Sequence, residues 1–162
     1  MIAFRGRLWF ALCLILLAGC ASPPRAVQPP QGSNAWSGRL ALKVESDQAQ
    51  SFSAGFDLKG DAQTGELTLY SPLGGTFAQL EWSPKDAKLR SNGTERRFES
   101  LESLVTNATG ADIPIGSIFK WLAGENTSVD GWQADLRELH NGRLIARRTL
   151  PAPLLELRLV LE

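Results

Sequence analysis

Side chains suited to covalent chemistry are scarce in this 162-residue chain: two cysteines, Cys13 and Cys20, and one histidine, His140. A Ser-His-Asp relay would have to be assembled around His140, which stands beside an Asn141-Gly142 turn signal and is expected to be a solvated turn residue. No HExxH, CxxC or GxxxxGKS/T run occurs, so zinc hydrolysis and nucleotide-driven work lack their usual parts. Acidic residues are scattered along strand-like stretches, where a solvated outer face explains them. Arg147 and Arg148 could meet anionic headgroups, but neighbours on a strand point to opposite faces, which weakens that reading. No enzyme, no metal site and no cofactor beyond a covalent lipid is expected.

That lipid would sit on Cys20. Arg5 and Arg7 precede an apolar run at residues 8–17, followed by Ala18, Gly19 and Cys20. The run is short for a membrane span of about 20 residues, and small residues close it, so a secretory signal is preferred to a transmembrane anchor. Leu17-Ala18-Gly19-Cys20 resembles the lipobox of bacterial lipoproteins. The resemblance implies that residues 1–19 are removed and that Cys20 is acylated on its sulfur and its new amine. Two lipid signals suffice for stable attachment, at about 0.8 kcal/mol per buried CH₂. Ala21 stands where an aspartate would retain a lipoprotein in the inner membrane, so the outer membrane is expected. Cleavage takes two of the 17 basic residues and none of the 17 acidic ones, leaving a net charge of −2 and nothing to attract nucleic acid. With Cys13 removed and Cys20 lipidated, the folded part has no thiol for a disulfide or a metal.

The positioning elements begin after a proline-rich stretch. Residues 20–35 read as the lipidated cysteine and a flexible linker, and residues 36–162 as one domain. Trp36, Gly38, Leu40, Leu42 and Val44 alternate on one face of a strand, as do Phe52, Ala54, Phe56 and Leu58 in the next. Leu67 with Leu69, and Ala78 with Leu80 and Trp82, continue the pattern. Glycines, Ser83-Pro84 and especially Asn92-Gly93 punctuate it at the spacing of an antiparallel meander. Leu101, Leu104 and Val105 fit a short helix that Gly110 can end. Ile115, Ile118, Phe119 and Leu122 fit a second, with Pro114 near its first turn and Gly124 after its end. Alternation then returns through Trp132, Ala134 and Leu136, a hairpin at Asn141-Gly142, and Leu155, Leu157, Leu159 and Leu161. About nine strands are expected, enough for one curved sheet or an open barrel. Inward tryptophans suit a packed core or a cavity wall equally.

The ordered set W-x-G-R-L-A at residues 36–41, SPLGGT at 71–76 and IPIGSIFKWLAG at 113–124 resembles the LolB family of outer-membrane lipoprotein receptors and insertases. The resemblance covers nearly the whole mature chain. It departs at the end, where the chain stops at Glu162 before the further strand-like residues of many members, leaving closure of the sheet's last edge open. It implies a mainly β fold with short helices: a strongly curved antiparallel sheet forming an incomplete, half-open barrel, with a helical lid over an apolar cavity. It also implies a monomer, anchored in the outer membrane and facing the periplasm, that takes lipoproteins from a LolA-like periplasmic carrier by their acyl chains and places them in outer-membrane lipid. On this reading Trp36, Leu40, Phe52, Phe56, Leu69, Leu80 and Trp82 line the acyl cavity from the sheet, and Ile118, Phe119 and Leu122 from the helix. Pro72, Leu73 and Gly74 fall on the family's protruding membrane-insertion loop. The alternative for Leu73 is a turn residue folded back on the core. Two other functions remain open on the residues themselves: a scaffold lipoprotein of an outer-membrane assembly complex, and a carrier or sensor for another hydrophobic ligand.

Overall fold

The computed structural model describes residues 34–45, 50–129 and 131–162. The signal segment, Cys20 and nearly all of the linker lie outside the described residues. The chain forms β1 (Ala35–Glu45), β2 (Gln50–Gly60), β3 (Gly65–Tyr70), β4 (Thr76–Ser83), β5 (Asp86–Ser91) and β6 (Thr94–Phe98). Two helices follow, α1 (Leu101–Thr109) and α2 (Ile115–Leu122), and then β7 (Trp132–Asp135), β8 (Arg143–Arg148) and β9 (Leu154–Leu161).

These strands make one nine-stranded sheet in the order β6-β5-β4-β3-β2-β1-β9-β8-β7. Every pairing is antiparallel. The edges are β6 and β7, which are not paired with each other, so the sheet is open rather than a closed barrel. The last strand is not an edge. Leu157 of β9 lies between Leu42 of β1 and Ala146 of β8.

Alternation explains which face is buried. Ala54, Phe56 and Leu58 of β2, Ala78, Leu80 and Trp82 of β4, and Leu155, Leu157 and Leu159 of β9 are buried, while their neighbours are more exposed. The outer face carries ion pairs instead, among them Arg90 with Glu81 and Glu95, and Glu156 with Arg158 and Arg147. Hydrogen bonds from Arg158, and then Arg147, hold the Glu156 carboxyl below its ordinary pKa.

Both helices end where local chemistry requires. Ser100 caps α1 by accepting the Ser103 N–H at 3.1 Å, and Gly110, at φ 67°, donates its N–H to the Thr106 carbonyl at 2.8 Å. α2 starts after Pro114 without a side-chain cap, and it ends with Ala123 donating its N–H to the Phe119 carbonyl at 3.0 Å before Gly124 turns the chain at φ 86°. Asn92 and Gly93 both take positive φ, as a two-residue hairpin turn of the primed type demands. The expected hairpin at Asn141-Gly142 is different: β7 stops at Asp135, and residues 136–142 form a longer link with a short 3₁₀ turn at Leu139–Asn141. Asp135 binds Arg137 there, which lowers its pKa to about 2, so the side chains favour a local turn over continued pairing. Leu136 thus leaves the strand, and His140 is exposed.

Gly38 marks the tightest approach between the first and last strands. It sits at φ 147°, and a Cβ there would meet the Val160 carbonyl oxygen at 2.0 Å. Gly38→Ala is expected to lower unfolding stability by about 2 kcal/mol or more in a denaturant titration.

Candidate functional site

One face of strands β6, β5, β4, β3, β2, β1 and β9 borders a single cavity of about 600 Å³. Laid flat, those strands would span about 29 Å at 4.8 Å per spacing, far wider than such a cavity, so the sheet wraps around it. Leu101 and Val105 of α1, and Ile115 and Ile118 of α2, complete the wall. The lining is apolar except for Gln50, Ser51, Ser91, Thr109 and Arg96.

Among the residues expected to line a cavity, Leu40, Phe52, Phe56, Leu69, Leu80, Trp82 and Ile118 do border it. Trp36, Phe119 and Leu122 do not. Trp36 and Trp82 pack on Phe119 at ring-centroid distances of 5.6 and 6.2 Å, and Leu122 is buried in the core. The reason is helix direction: the stripe on α2 is wider than the cavity, so its later residues meet other side chains. Trp121 and Trp132 are core as well, 6.4 Å apart, with their indole N–H groups donating to the carbonyls of Thr127 and Asp112.

The cavity is closed at one end and exposed at the other. At the closed end, the Trp82 indole donates to the Asp61 carbonyl at 2.9 Å beneath the β2–β3 turn. At the other end, Gln50, Ser51 and Phe52 border the cavity and are exposed, so this is its mouth; Arg96 and Ala108 are exposed lining residues beside β5 and β6. β3 ends opposite Gly55, leaving the first residues of β2 paired only with β1. Phe52 and Phe77 span that gap, rings 5.5 Å apart.

Phe77 was not foreseeable from alternation, because its neighbours Ala78, Leu80 and Trp82 already occupy the inner face. A register shift at Leu69/Tyr70, where Tyr70 pairs with Thr76, interrupts the period at this point. Arg96 was also missed among scattered surface charges. Among the described residues it is the one charged side chain on the cavity wall, its Nη1 donates to Asn107 Oδ1 at 3.1 Å, and its guanidinium lies 5.5 Å from the Phe98 ring centre. Arg147 and Arg148 do face opposite ways, but Arg148 is only 7 % exposed and donates to the Asp112 carbonyl at 3.3 Å rather than reaching solvent.

The tip at Leu73 has a simple construction. Gly74 donates its N–H to the Ser71 carbonyl at 2.8 Å, closing a four-residue turn with Pro72 in its second place and Leu73 in its third. Gly74 takes φ 85°, whereas Gly75 does not adopt positive φ, so only one of the two glycines supplies an unusual backbone angle. Tyr70, just before the turn, donates its hydroxyl to Asp57 Oδ2 at 2.6 Å, which raises its pKa and fixes the base of the loop. Leu73 is 99 % exposed and packs on nothing. The side chain does not fold back on the core.

An open antiparallel sheet and two helices border an apolar cavity, with an exposed leucine on the turn after β3, a geometry with room for an apolar ligand. Comparison with known proteins narrows this. The family model "Outer membrane lipoprotein LolB" matches residues 34–149. The chain is similar to an outer-membrane lipoprotein LolB of Bordetella petrii, 32% identical over 99% of this chain and 94% of that one. It is also similar to that of Bordetella parapertussis, 38% identical over 71% of this chain and 61% of the relative, and to that of Dechloromonas aromatica, 32% identical over 80% of each. The chain belongs to the LolB family.

Placing a large side chain in the cavity should separate binding from folding. Leu69→Trp is expected to change the unfolding midpoint little, because empty space receives the ring, and to abolish fluorescence enhancement of a dansyl-labelled fatty acid. Unchanged probe binding in a folded variant would place the ligand elsewhere.

Proposed function

We propose that this protein receives lipoproteins from a LolA-like periplasmic carrier, holds their acyl chains in the cavity between sheet and helices, and passes them to outer-membrane lipid. Membership of the LolB family supports a receptor in lipoprotein localisation over the scaffold and free-ligand readings. The observation that carries the mechanism is the shared orientation of cavity and tip: the mouth residues Gln50, Ser51 and Phe52 lie at the same end of the sheet as the Leu73 turn.

The energetics need no fuel. An acyl chain that leaves one apolar cavity for another exposes little net apolar area, and release into a bilayer buries it again. Phe52 and Phe77 stand at the exit, and their displacement opens the way past the sheet's gap. The helices act as the lid, with Ile118 on the ligand side and Phe119 and Leu122 holding the helix to the core. The protein works as a monomer tethered through lipidated Cys20, with the proline-rich linker setting the domain off the membrane surface. No chemical step is required of any side chain.

Burying Leu73 is worth about 1.5–3 kcal/mol, too little to anchor a free domain but enough to bias a tethered one toward contact. Leu73→Glu is expected to accept lipoprotein from the carrier at the wild-type level and to deliver it to outer-membrane vesicles at least about tenfold more slowly. Wild-type delivery by this variant would overturn the role of the tip.

A further inference from the structure

We infer that the β8–β9 turn, residues 149–153, is a second membrane-touching tip, with Leu150 as the side chain that enters lipid alongside Leu73. This rests on the reading of the Leu73 turn as a membrane contact. Strand register puts the two turns at one end of the sheet. Gly55 of β2 pairs with Tyr70 at the close of β3, Val44 of β1 pairs with Gln50, and Glu45 pairs with Leu154 at the start of β9. The turns after β3 and β8 therefore emerge on the same rim.

Exposed large hydrophobic side chains concentrate there. Leu73 at 99 %, Leu150 at 72 %, Leu154 at 43 % and Phe52 at 39 % lie in or beside the turns that point this way, whereas Val160, the fifth such residue among those described, stands within β9 in the row of Arg39, Gly55 and Tyr70, away from any turn. Leu150 is displayed by construction. Its carbonyl packs so closely on Gly131 that a Cβ at that glycine would meet it at 1.8 Å, which fixes the backbone while the side chain points away. Pro151 and Pro153 narrow the remaining freedom of the turn.

Charge distinguishes the two rims and selects the partner. The described hairpin turns on this side, residues 71–75, 92–93 and 149–153, contain no Asp, Glu, Lys or Arg. Those on the opposite side carry Asp61, Lys85, Arg137 and Glu138. Charge-free turns enter the boundary between headgroups and acyl chains without leaving an ion unpaired, and a lipid surface is thus favoured over a protein partner that would use charge for registry.

The separation of the tips gives them a function that one leucine lacks. Four strand spacings, about 19 Å, separate the hairpins across the sheet, and their bases are further offset along β1, at Arg39 and Val44. One point of contact leaves a tethered domain free to roll; two set its axis, holding the cavity mouth between them toward the bilayer.

The test uses the full lipidated protein in vesicles of phosphatidylethanolamine and phosphatidylglycerol containing doxyl-labelled lipid. Leu73→Cys, Leu150→Cys and Val160→Cys variants each carry an NBD label on the introduced thiol. Blue-shifted, lipid-quenched emission at 73 and 150, with neither at 160, is the expected result. Quenching at 73 alone overturns the second tip and leaves the first; quenching at neither overturns both. In a delivery assay, Leu150→Glu should slow transfer to vesicles about tenfold with uptake from the carrier intact. Loss of uptake instead would mark a protein-docking surface and overturn the membrane assignment.

Discussion

The pairing of β1 with β9 holds the rest of the structure together. Every other neighbouring pair in the sheet is consecutive in the chain, so without this seam there would be a six-stranded meander and a separate three-stranded one. Joining Glu45 to Leu154 closes a loop of about 110 residues, an entropy cost of about 4 kcal/mol. Leu155, Leu157 and Leu159, buried along the seam at about 1.5–3 kcal/mol each, are enough to offset it. The cavity wall runs across the same seam, from Leu40 and Leu42 to Leu157 and Leu159. Stability and the ligand site therefore share their central residues.

A sheet with a continuous apolar face ordinarily fills it. Here α1 and α2 cover only part, and Trp82, backed by Phe119 and Trp36, closes one end while the other stays open. Part of that face stays unfilled, and the packed core beside it, with Trp121 and Leu104 fully buried, makes the fold tolerate it. The two ends of the sheet then differ in chemistry: among the described turns, those at the closed end carry charge and those at the mouth end, 71–75, 92–93 and 149–153, do not.

Much of this was legible from the residues alone, and the limits have physical causes. Period-two alternation identified the strands because an apolar face must be buried, and Asn92-Gly93, Gly110 and Gly124 punctuated the chain because each adopts a backbone angle most residues avoid. Asn141-Gly142 misled because the same residues also suit the end of a 3₁₀ turn, and the Asp135–Arg137 contact decided between them. Phe77 broke the alternation at a register shift that depends on how β3 and β4 meet. Arg147 and Arg148 were expected on opposite faces, but that the inward one, Arg148, meets the Asp112 carbonyl depends on where residues 111–113 cross β8.

The sequence by itself determined the strands, both helices, the build of the Leu73 turn and, through motif resemblance, the family. These rest on local backbone preference and on the period of apolar residues, which are written in short stretches of chain. Only the tertiary structure decided that β9 pairs with β1, that Trp36, Phe119 and Leu122 belong to the core while Leu40 and Phe52 border a cavity, and that Leu150 shares a rim with Leu73. Alternation tells which side of a strand is apolar, but whether that side meets another side chain or empty space depends on residues far away in sequence.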